Sequence, residues 1–314
     1  MKRLSACTLA LCAALSHQLQ AQRSELRLEK GWRFTRQDQA SFSTPDYNDS
    51  KWSRVTVPHD WAIYGPFSFE NDKQHLAIAQ DGQKEAMEHA GRTGGLPFVG
   101  AGWYRRSLDI PQDLGDRRVF LRFDGAMSHA RVYVNGKEVG YWPYGYNTFA
   151  FDVTPYVRPG ASNTLAVRLE NKHESSRWYP GAGLYRNVHL TITSPTYIPL
   201  WGTRIQTPSV SADQAYVSIE TKVAGLSHLA GRPLLIETKI LSPEGKVVAE
   251  RSESFSSKGA DSIYRTGFDI STPKLWDINQ PNLYKYAVTL SDGSRVIDRD
   301  TTTFGIRSIE LKAG

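Results

Sequence analysis

The sequence predicts an all-β protein made of two antiparallel β-sandwiches, and three observations support this. From Glu25 onward, short segments alternate apolar and polar residues at period two, as half-buried strands do. Turn-forming residues separate these segments. No long stretch with the period of an amphipathic helix interrupts the series, so an antiparallel sandwich is favoured over an α/β sheet.

The first sandwich is predicted from segments that alternate at period two between residues 55 and 192. Asn135-Gly136 separates two of them, and both residues tolerate the positive φ that a type I′ turn requires, so a tight hairpin is expected here. The segments are Val55-Val57, Leu108-Ile110, Val119-Leu121-Phe123, Val132-Val134, Phe149-Phe151-Val153, Leu165-Val167-Leu169 and Val188-Leu190-Ile192.

A second all-β unit is predicted after a short break at residues 195–199. The turn sequences Ser242-Pro-Glu-Gly245 and Ser291-Asp-Gly-Ser294 separate its strands. The number and spacing of the strands predict an immunoglobulin-like sandwich of about a hundred residues. Its segments are Val217-Ile219-Thr221-Val223, Leu234-Ile236-Thr238-Ile240, Val247-Ala249, Phe268-Ile270 and Tyr284-Tyr286-Val288-Leu290.

Residues 1–22 have the pattern of a secretory signal peptide. Lys2 and Arg3 precede an apolar run, and a cleavage site follows at Ala21. Because the run is too short for an ordinary membrane-spanning helix, export is predicted rather than a membrane span.

Cysteine usage agrees with export to a bacterial periplasm or beyond. Both cysteines, Cys7 and Cys12, lie in the leader, so the mature chain has none to pair. The sequence Leu4-Ser-Ala-Cys7 resembles a lipoprotein cleavage box but precedes the apolar run, so a surface lipoprotein is the less favoured alternative.

Composition describes a globular chain without an evident nucleic-acid site. The 314 residues are 40% hydrophobic and 22% charged, enough for more than one core. The formal net charge is +6, yet basic residues never run longer than a pair, as at Arg105-Arg106. A solvated basic surface is therefore favoured over nucleic-acid binding.

The residue patterns of several enzyme classes are missing. His173-Glu174 begins like a zinc-protease motif, but Arg177 stands where the second histidine is needed. No Gly-x-Ser-x-Gly elbow occurs, and neither Gly181-x-Gly183 nor Gly100-x-Gly102 continues as a dinucleotide fingerprint. No catalytic residue, metal site or cofactor is therefore assigned.

The connection at residues 66–102 is long for a compact sandwich. Its middle, residues 72–89, is polar with some helical character, and its end is rich in glycine. A mobile wall beside a ligand groove and plain disorder are equal alternatives.

Aromatic residues in two loops are the positive signal. Trp142-Pro-Tyr-Gly-Tyr146 is one, and Trp178-Tyr179 lies in the other, the glycine-rich loop at residues 175–186. Such rings can stack on the apolar face of a sugar while arginine takes its hydroxyls. The alternative is that they cap the core or pack one domain on another.

Three motifs in order resemble glycoside hydrolase family 2. They are Val57-Pro-His-Asp-Trp61, Gly102-Trp-Tyr-Arg105 and Ser175-Ser-Arg-Trp-Tyr-Pro-Gly-Ala-Gly-Leu-Tyr-Arg186. Pro273-Lys-Leu-Trp276 with Pro281-Asn-Leu-Tyr284 is similar to the second domain of that family, and Phe304-Gly-Ile-Arg307 to the lead-in of the third. The closest resemblance within the family is to exported β-galactosidases.

The resemblance implies a jelly-roll, galactose-binding-like sandwich, an immunoglobulin-like sandwich and then a catalytic (β/α)8 barrel with two glutamates. The chain stops at Gly314, where the barrel is expected to begin, and it contains no Asn-Glu dipeptide like the one that carries the family's acid/base residue. The loop candidates Asp60, Glu70, Glu170 and Glu174 are not paired by their spacing.

The expected organisation is a signal peptide at 1–22, the jelly-roll domain at 23–197, the immunoglobulin-like domain at 198–308 and a linker from 309. By the resemblance, two loops face the sugar subsite or the barrel. Their residues are Asp60, Trp61, Arg177, Trp178 and Tyr179.

The resemblance also bears on cofactors and partners. Members of the family can hold a cation at the barrel mouth, but this chain has Ser-Arg where an acidic residue helps to hold it. The expected partners are a carbohydrate and the barrel of the same polypeptide, with a homo-oligomer left open.

The predicted function is the non-catalytic N-terminal part of a secreted retaining glycosidase, with β-galactosidase favoured, acting on plant or host glycans. The alternative is a free-standing carbohydrate-binding β-sandwich without activity. In the first case, Trp178 and Tyr179 are expected to be more exposed in these two domains alone than in the full-length enzyme.

Overall fold

The computed structural model describes residues 23–68, 71, 97–172, 178–229, 231–256, 261–293 and 295–310. These ranges contain seventeen β-strands, joined in antiparallel ladders. Their helical elements are short 3-10 turns, and none has the length and apolar character to cross a membrane. The all-β prediction is confirmed, while the polar stretch at 72–89 lies outside the described residues.

Ser24–Ile192 form the first of two compact units. Its strands build a four-stranded sheet in the order β1-β10-β5-β8 and a six-stranded sheet in the order β3-β2-β4-β9-β6-β7. The sheets enclose one apolar core as a jelly-roll β-sandwich. The strands are β1 (Ser24–Arg27), β2 (Trp32–Thr35), β3 (Ser53–Val55), β4 (Gly100–Asp109), β5 (Arg118–Phe123), β6 (Ala130–Val134), β7 (Lys137–Trp142), β8 (Phe149–Asp152), β9 (Ser162–Asn171) and β10 (Val188–Thr193).

Alternation along the strands builds this core. In β5, every second residue is buried, and these are the apolar ones that the period-two pattern predicts. On the core face of this sheet, Phe123 of β5 stacks on its cross-strand partner Phe149 of β8 with ring centroids 4.9 Å apart. Each such buried side chain contributes roughly 1.5–3 kcal/mol relative to an exposed one.

The predicted hairpin at Asn135-Gly136 is confirmed. Both residues have positive φ, 51° and 81°, and Val134 pairs with Lys137 across the turn. The Asn135 side chain accepts the amide of Thr164 at 3.0 Å, so an asparagine fixes the turn to β9 as well as adopting the required backbone conformation.

A chain segment with a 3-10 turn at Ala40–Ser43 covers part of the outer face of the six-stranded sheet. Phe42 packs edge-on against Trp103 in a small second cluster. Beside them Arg105, only 2% exposed, is paired with Asp49 at 2.9 Å and donates to the Phe42 carbonyl. This buried cation therefore has the partners that burial requires.

The second unit comprises Arg23 and the residues from Thr193 onward. It is an immunoglobulin-like sandwich with sheets in the orders β11-β12-β15 and β14-β13-β16-β17. Its core residues alternate along β12, β13, β15 and β16, as the sequence predicts. The strands are β11 (Thr203–Val210), β12 (Gln214–Val223), β13 (Pro233–Leu241), β14 (Val247–Ser256), β15 (Ser262–Ser271), β16 (Tyr284–Asp292) and β17 (Arg295–Phe304).

A buried ion pair in the second unit joins residues far apart in sequence. The Arg23 guanidinium reaches both carboxylate oxygens of Asp298, at 3.1 and 2.8 Å, and the Asp298 side chain is 0% exposed. The same carboxylate accepts the amide of Ile198 at 2.7 Å. Asp298 therefore depends on Arg23 to neutralise a charge that water cannot reach.

Replacing Arg23 should destabilise the second unit strongly. Arg23→Met keeps an apolar stem but leaves Asp298 buried without its cation, at a cost of about 3 kcal/mol in the free energy of unfolding. Arg204→Met is the control, because the exposed Arg204–Glu220 pair should contribute under about 1 kcal/mol. Denaturant unfolding of both variants measures this, and equal losses would contradict the assignment.

Candidate functional site

The glycine-rich loop between β9 and β10 is described from Trp178 onward, and backbone contacts hold it in place. Gly183 and Met127 exchange two backbone hydrogen bonds, at 2.9 and 3.0 Å. The Asn171 side chain donates to the Gly181 carbonyl at 3.0 Å. The loop is therefore anchored to the β9 end and to the segment that precedes β6.

Gly183 is required by a close approach. Its φ is +85°, and a Cβ here would lie 2.3 Å from the Tyr104 hydroxyl and 2.7 Å from the His59 carbonyl oxygen. Gly102 plays a similar part on β4, since a Cβ there would lie 2.7 Å from a ring carbon of Trp61. The missing side chains let three separate segments pack on one another.

The Asp60 carboxylate ties two of these segments together. One oxygen accepts the Tyr179 hydroxyl at 2.5 Å and the Ala62 amide at 2.9 Å, and the other accepts the Ala182 amide at 3.2 Å. Burial and this carboxylate raise the pKa of Tyr179 above its ordinary value, so the phenol stays protonated and keeps donating. Asp60 thus acts as a structural acceptor.

His59 and Tyr104 form a second polar contact beneath the loop. The ring nitrogen Nδ1 of His59 lies 2.7 Å from the Tyr104 hydroxyl, and the His59 amide donates to the Leu184 carbonyl at 2.8 Å. Burial lowers the pKa of His59 and raises that of Tyr104 well above its ordinary value. The contact therefore joins two neutral groups near pH 7.

Trp61 has a packing role in the first unit. Its ring is 2% exposed and stacks on Phe34 with centroids 5.6 Å apart. Its carbonyl oxygen, with that of Gly65, accepts the Arg36 guanidinium. The ring closes one end of the core, and the backbone around it is held by Arg36.

Exposed rings gather where the two predicted aromatic loops meet. Trp178 is 59% exposed, and its indole nitrogen donates to the Tyr146 hydroxyl at 3.0 Å. Tyr146 packs edge-on against Tyr144, which is 56% exposed. Tyr185 lies below and donates to the Gly145 carbonyl at 2.9 Å. We call Trp178, Tyr144, Tyr146 and Tyr185 the aromatic surface.

The remaining predicted site residues, Tyr179 and Arg177, are not part of the aromatic surface. Tyr179 is half-buried beside Asp60, in contrast to the exposed Trp178. Arg177 lies outside the described residues. The sequence analysis does not predict His59, Tyr104 or Tyr185 as site residues, although each lies in one of the three quoted motifs.

Carboxylates in this region are engaged in structural contacts. Asp60 accepts three hydrogen bonds, and Glu170 pairs with Arg168 at 2.9 Å. Glu70 and Glu174 lie outside the described residues. Within the described ranges, no three His, Cys, Asp or Glu side chains come together as a metal site would need.

Two models of known protein families match the two units of the chain. The family model described as the glycosyl hydrolases family 2 sugar-binding domain covers residues 26–195. A second model of glycosyl hydrolases family 2 covers residues 198–307. The chain belongs to glycoside hydrolase family 2.

Two curated relatives of this family 2 chain extend far beyond it. A putative β-glucuronidase of Formosa agariphila is 34% identical over 98% of this chain but only 27% of its own length. A β-galactosidase of Bacteroides ovatus is 33% identical over 97% of this chain and 34% of its own length. The chain therefore spans about a third of the length of these relatives.

Solved structures of the family share the fold. A family 2 member from Bacteroides cellulosilyticus matches with a TM-score of 0.80 and 30% identity, over 91% of this chain and 36% of that one. A β-glucuronidase of Bacteroides uniformis matches with a TM-score of 0.73 and 25% identity, over 90% of this chain and 32% of that one.

Two glycines of the same loop should respond differently to alanine. Gly181 and Gly183 both have positive φ, but a Cβ at Gly181 meets nothing within 4 Å. Gly181→Ala should therefore cost about 1 kcal/mol of backbone strain, whereas Gly183→Ala adds a clash with Tyr104 and His59 and should cost at least about 3 kcal/mol. Denaturant unfolding measures both, and equal costs would show that the close approach is not restrictive.

The neutral state of His59 should make the first unit less stable in acid. Its pKa is lowered by burial, so the unfolded chain binds a proton more readily than the folded one. The stabilisation is complete above about pH 6.5, the ordinary histidine pKa, and declines as the pH falls below it. An NMR titration should find the His59 midpoint below this value, and His59→Asn should flatten the decline between pH 6.5 and 5. A midpoint above the ordinary value would contradict the assignment.

Proposed function

We propose that this chain is the non-catalytic N-terminal part of a secreted retaining glycosidase of the β-galactosidase type. The observation that carries the proposal is the extent of the match. Two family 2 domains account for nearly the whole chain, while the chain covers only 27% and 34% of the lengths of the two relatives.

The chemistry of retention supports a non-catalytic role for these domains. It needs two carboxyl groups about 5 Å apart, one as nucleophile and one as acid/base. The described carboxylates beside the glycine-rich loop, Asp60 and Glu170, already serve hydrogen bonds and an ion pair. The catalytic pair is therefore assigned to a (β/α)8 barrel supplied by the rest of the polypeptide.

The aromatic surface is proposed to face that barrel and the sugar bound at its mouth. Two of its rings, Trp178 and Tyr144, are exposed within the first unit, yet the loop that carries Trp178 is held by Asp60, Gly183 and Asn171. A rigid loop with exposed rings suits contact with a partner or a sugar, because little conformational entropy is lost on contact.

The proposal also covers the substrate of the enzyme and its location outside the cytoplasm. Relatives carry the names β-glucuronidase and β-galactosidase, and we favour a β-galactoside of plant or host glycans because the loop motifs resemble that subgroup. Export through residues 1–22 would bring the enzyme to such glycans outside the cytoplasm.

A free-standing carbohydrate-binding sandwich is the second candidate. The exposure of Trp178 and Tyr144 supports it, since such rings can stack on a sugar without any barrel. Under this proposal, the 314 residues would bind a galactoside by themselves. The bound galactoside would shield the two rings from solvent.

Replacing Trp178 should impair the longer enzyme. In the product of the full reading frame, Trp178→Ala should lower kcat/KM for nitrophenyl β-galactoside about tenfold, because an exposed ring of this kind contributes as an interface anchor does. Trp201→Ala is the matched control, since Trp201 is also exposed, at 68%, but lies in the second unit. It should leave kcat/KM within about twofold.

The same assay tests the assignment of catalysis. Nitrophenyl β-galactoside and β-glucuronide are given to the longer product and to the 314-residue chain. Turnover by the shorter chain would refute its non-catalytic role. Turnover of the glucuronide alone by the longer product would replace the proposed substrate, and turnover of neither would reject the glycosidase proposal.

A further inference from the structure

A cationic cleft lies at one edge of the first sandwich, among β2, β3 and the segment after β3. It has a volume of about 700 Å³, within the usual range for small-ligand sites. Lys30, Arg33, Arg54, Thr56 and His59 line it, and none of its lining residues is acidic. We call it the Arg33–Arg54 cleft.

The two arginines lie side by side on neighbouring strands. In the antiparallel register of β2 and β3, Arg33 is the direct partner of Arg54. Cα atoms of such partners are about 4.5–5.5 Å apart, and like charges placed directly opposite destabilise a sheet. The register therefore puts two cationic residues side by side at the sheet edge, where a bound anion would offset their repulsion.

No carboxylate among the described residues forms an ion pair with either arginine. In the part of the chain that the structure describes, Lys30, Arg33 and Arg54 make no ion pair, and Arg33 has a single long hydrogen bond of 3.5 Å to the Trp52 carbonyl. Other arginines of the same sheet are paired, as Arg131 is with Glu138 at 2.9 Å.

The side chains that line the cleft favour an anion over the apolar face of a neutral sugar. Its aromatic residue, Trp32, is 1% exposed, and Arg106 lies over the ring at 5.5 Å. An aromatic platform for stacking is therefore lacking among the lining residues. Two guanidinium forks with the Thr56 hydroxyl match the oxygens of carboxylate or sulfate groups instead.

We propose that the Arg33–Arg54 cleft binds the carboxylate or sulfate groups of an acidic glycan. The choice of a glycan rests on the proposed function, since the chain belongs to a family that acts on glycosides. A nucleic acid fits less well, because its backbone needs a longer cationic track and exposed rings for its bases. The cleft would hold a charged part of the polymer whose terminal sugar is cleaved elsewhere.

The test compares glycans that differ in charge. Binding of the 314-residue chain to polygalacturonate, chondroitin sulfate and neutral galactan is measured by affinity electrophoresis and calorimetry at two salt concentrations. We expect one or both acidic glycans to bind, more weakly at high salt, and galactan to show no dependence on the cleft. The carboxylate and sulfate arms decide which group the cleft prefers.

A double variant and a control of equal charge make the test specific. Arg33→Gln with Arg54→Gln should weaken binding of the acidic glycan at least about tenfold, with no loss of thermal stability because the like-charge contact is relieved. Arg204→Gln with Arg265→Gln removes two exposed charges from the second unit and should leave binding unchanged.

Four outcomes would overturn the proposal: no binding of acidic glycans, unchanged binding by the Arg33/Arg54 variant, equal loss in the control, or equal competition by single-stranded DNA. Turnover of neutral nitrophenyl galactoside by the longer product is measured separately. If turnover is present and acidic glycans do not bind, the cleft proposal fails and the glycosidase proposal stands. If turnover is absent, the glycosidase proposal fails on its own.

Discussion

The Asp60 carboxylate holds together the end of the first sandwich that carries the aromatic surface. It accepts hydrogen bonds from Tyr179 and Ala182 of the loop before β10, and from Ala62 of its own segment. A charged acceptor with three donors fixes both backbones, because losing any one of them would leave a partly buried charge less well solvated. Gly183 then lets the loop pack directly on Tyr104 and His59.

We call these contacts of Asp60 and Gly183 the Asp60 junction. It explains why some aromatic rings of the quoted motifs are buried and others are exposed. Trp61 sits over Gly102 and Phe34 and belongs to the core, whereas Trp178 comes before the anchored glycines and remains exposed. Tyr179 lies between them, with its hydroxyl committed to Asp60. The side chains that build the junction are therefore distinct from those that it presents, and a partner can meet the aromatic surface without disturbing the core.

The fold could be predicted in large part from local sequence, while the site could be predicted only in outline. Period-two alternation in β5 and β9 reports burial of one face directly, and Asn135-Gly136 reports a turn directly. Which residues meet across the sandwich depends on strand order, which alternation does not encode. The family resemblance predicts Asp60 as a loop residue near the sugar, but two of its three hydrogen bonds come from a loop some 120 positions later. The same holds for Arg33 opposite Arg54, a pairing set by the β2–β3 register.

His59 shows that the junction and the cationic cleft share one segment. Its ring contacts Tyr104 within the junction, its amide bonds to the Leu184 carbonyl, and the residue also lines the Arg33–Arg54 cleft. A substitution at His59 would change loop packing and cleft lining together, so its effect on binding could not be assigned to either. Arg33 and Arg54 carry no such double role, because neither takes part in the contacts of the Asp60 junction. The electrostatics of the cleft can therefore be altered while the loop stays in place, which makes ligand binding there separable from the integrity of the fold.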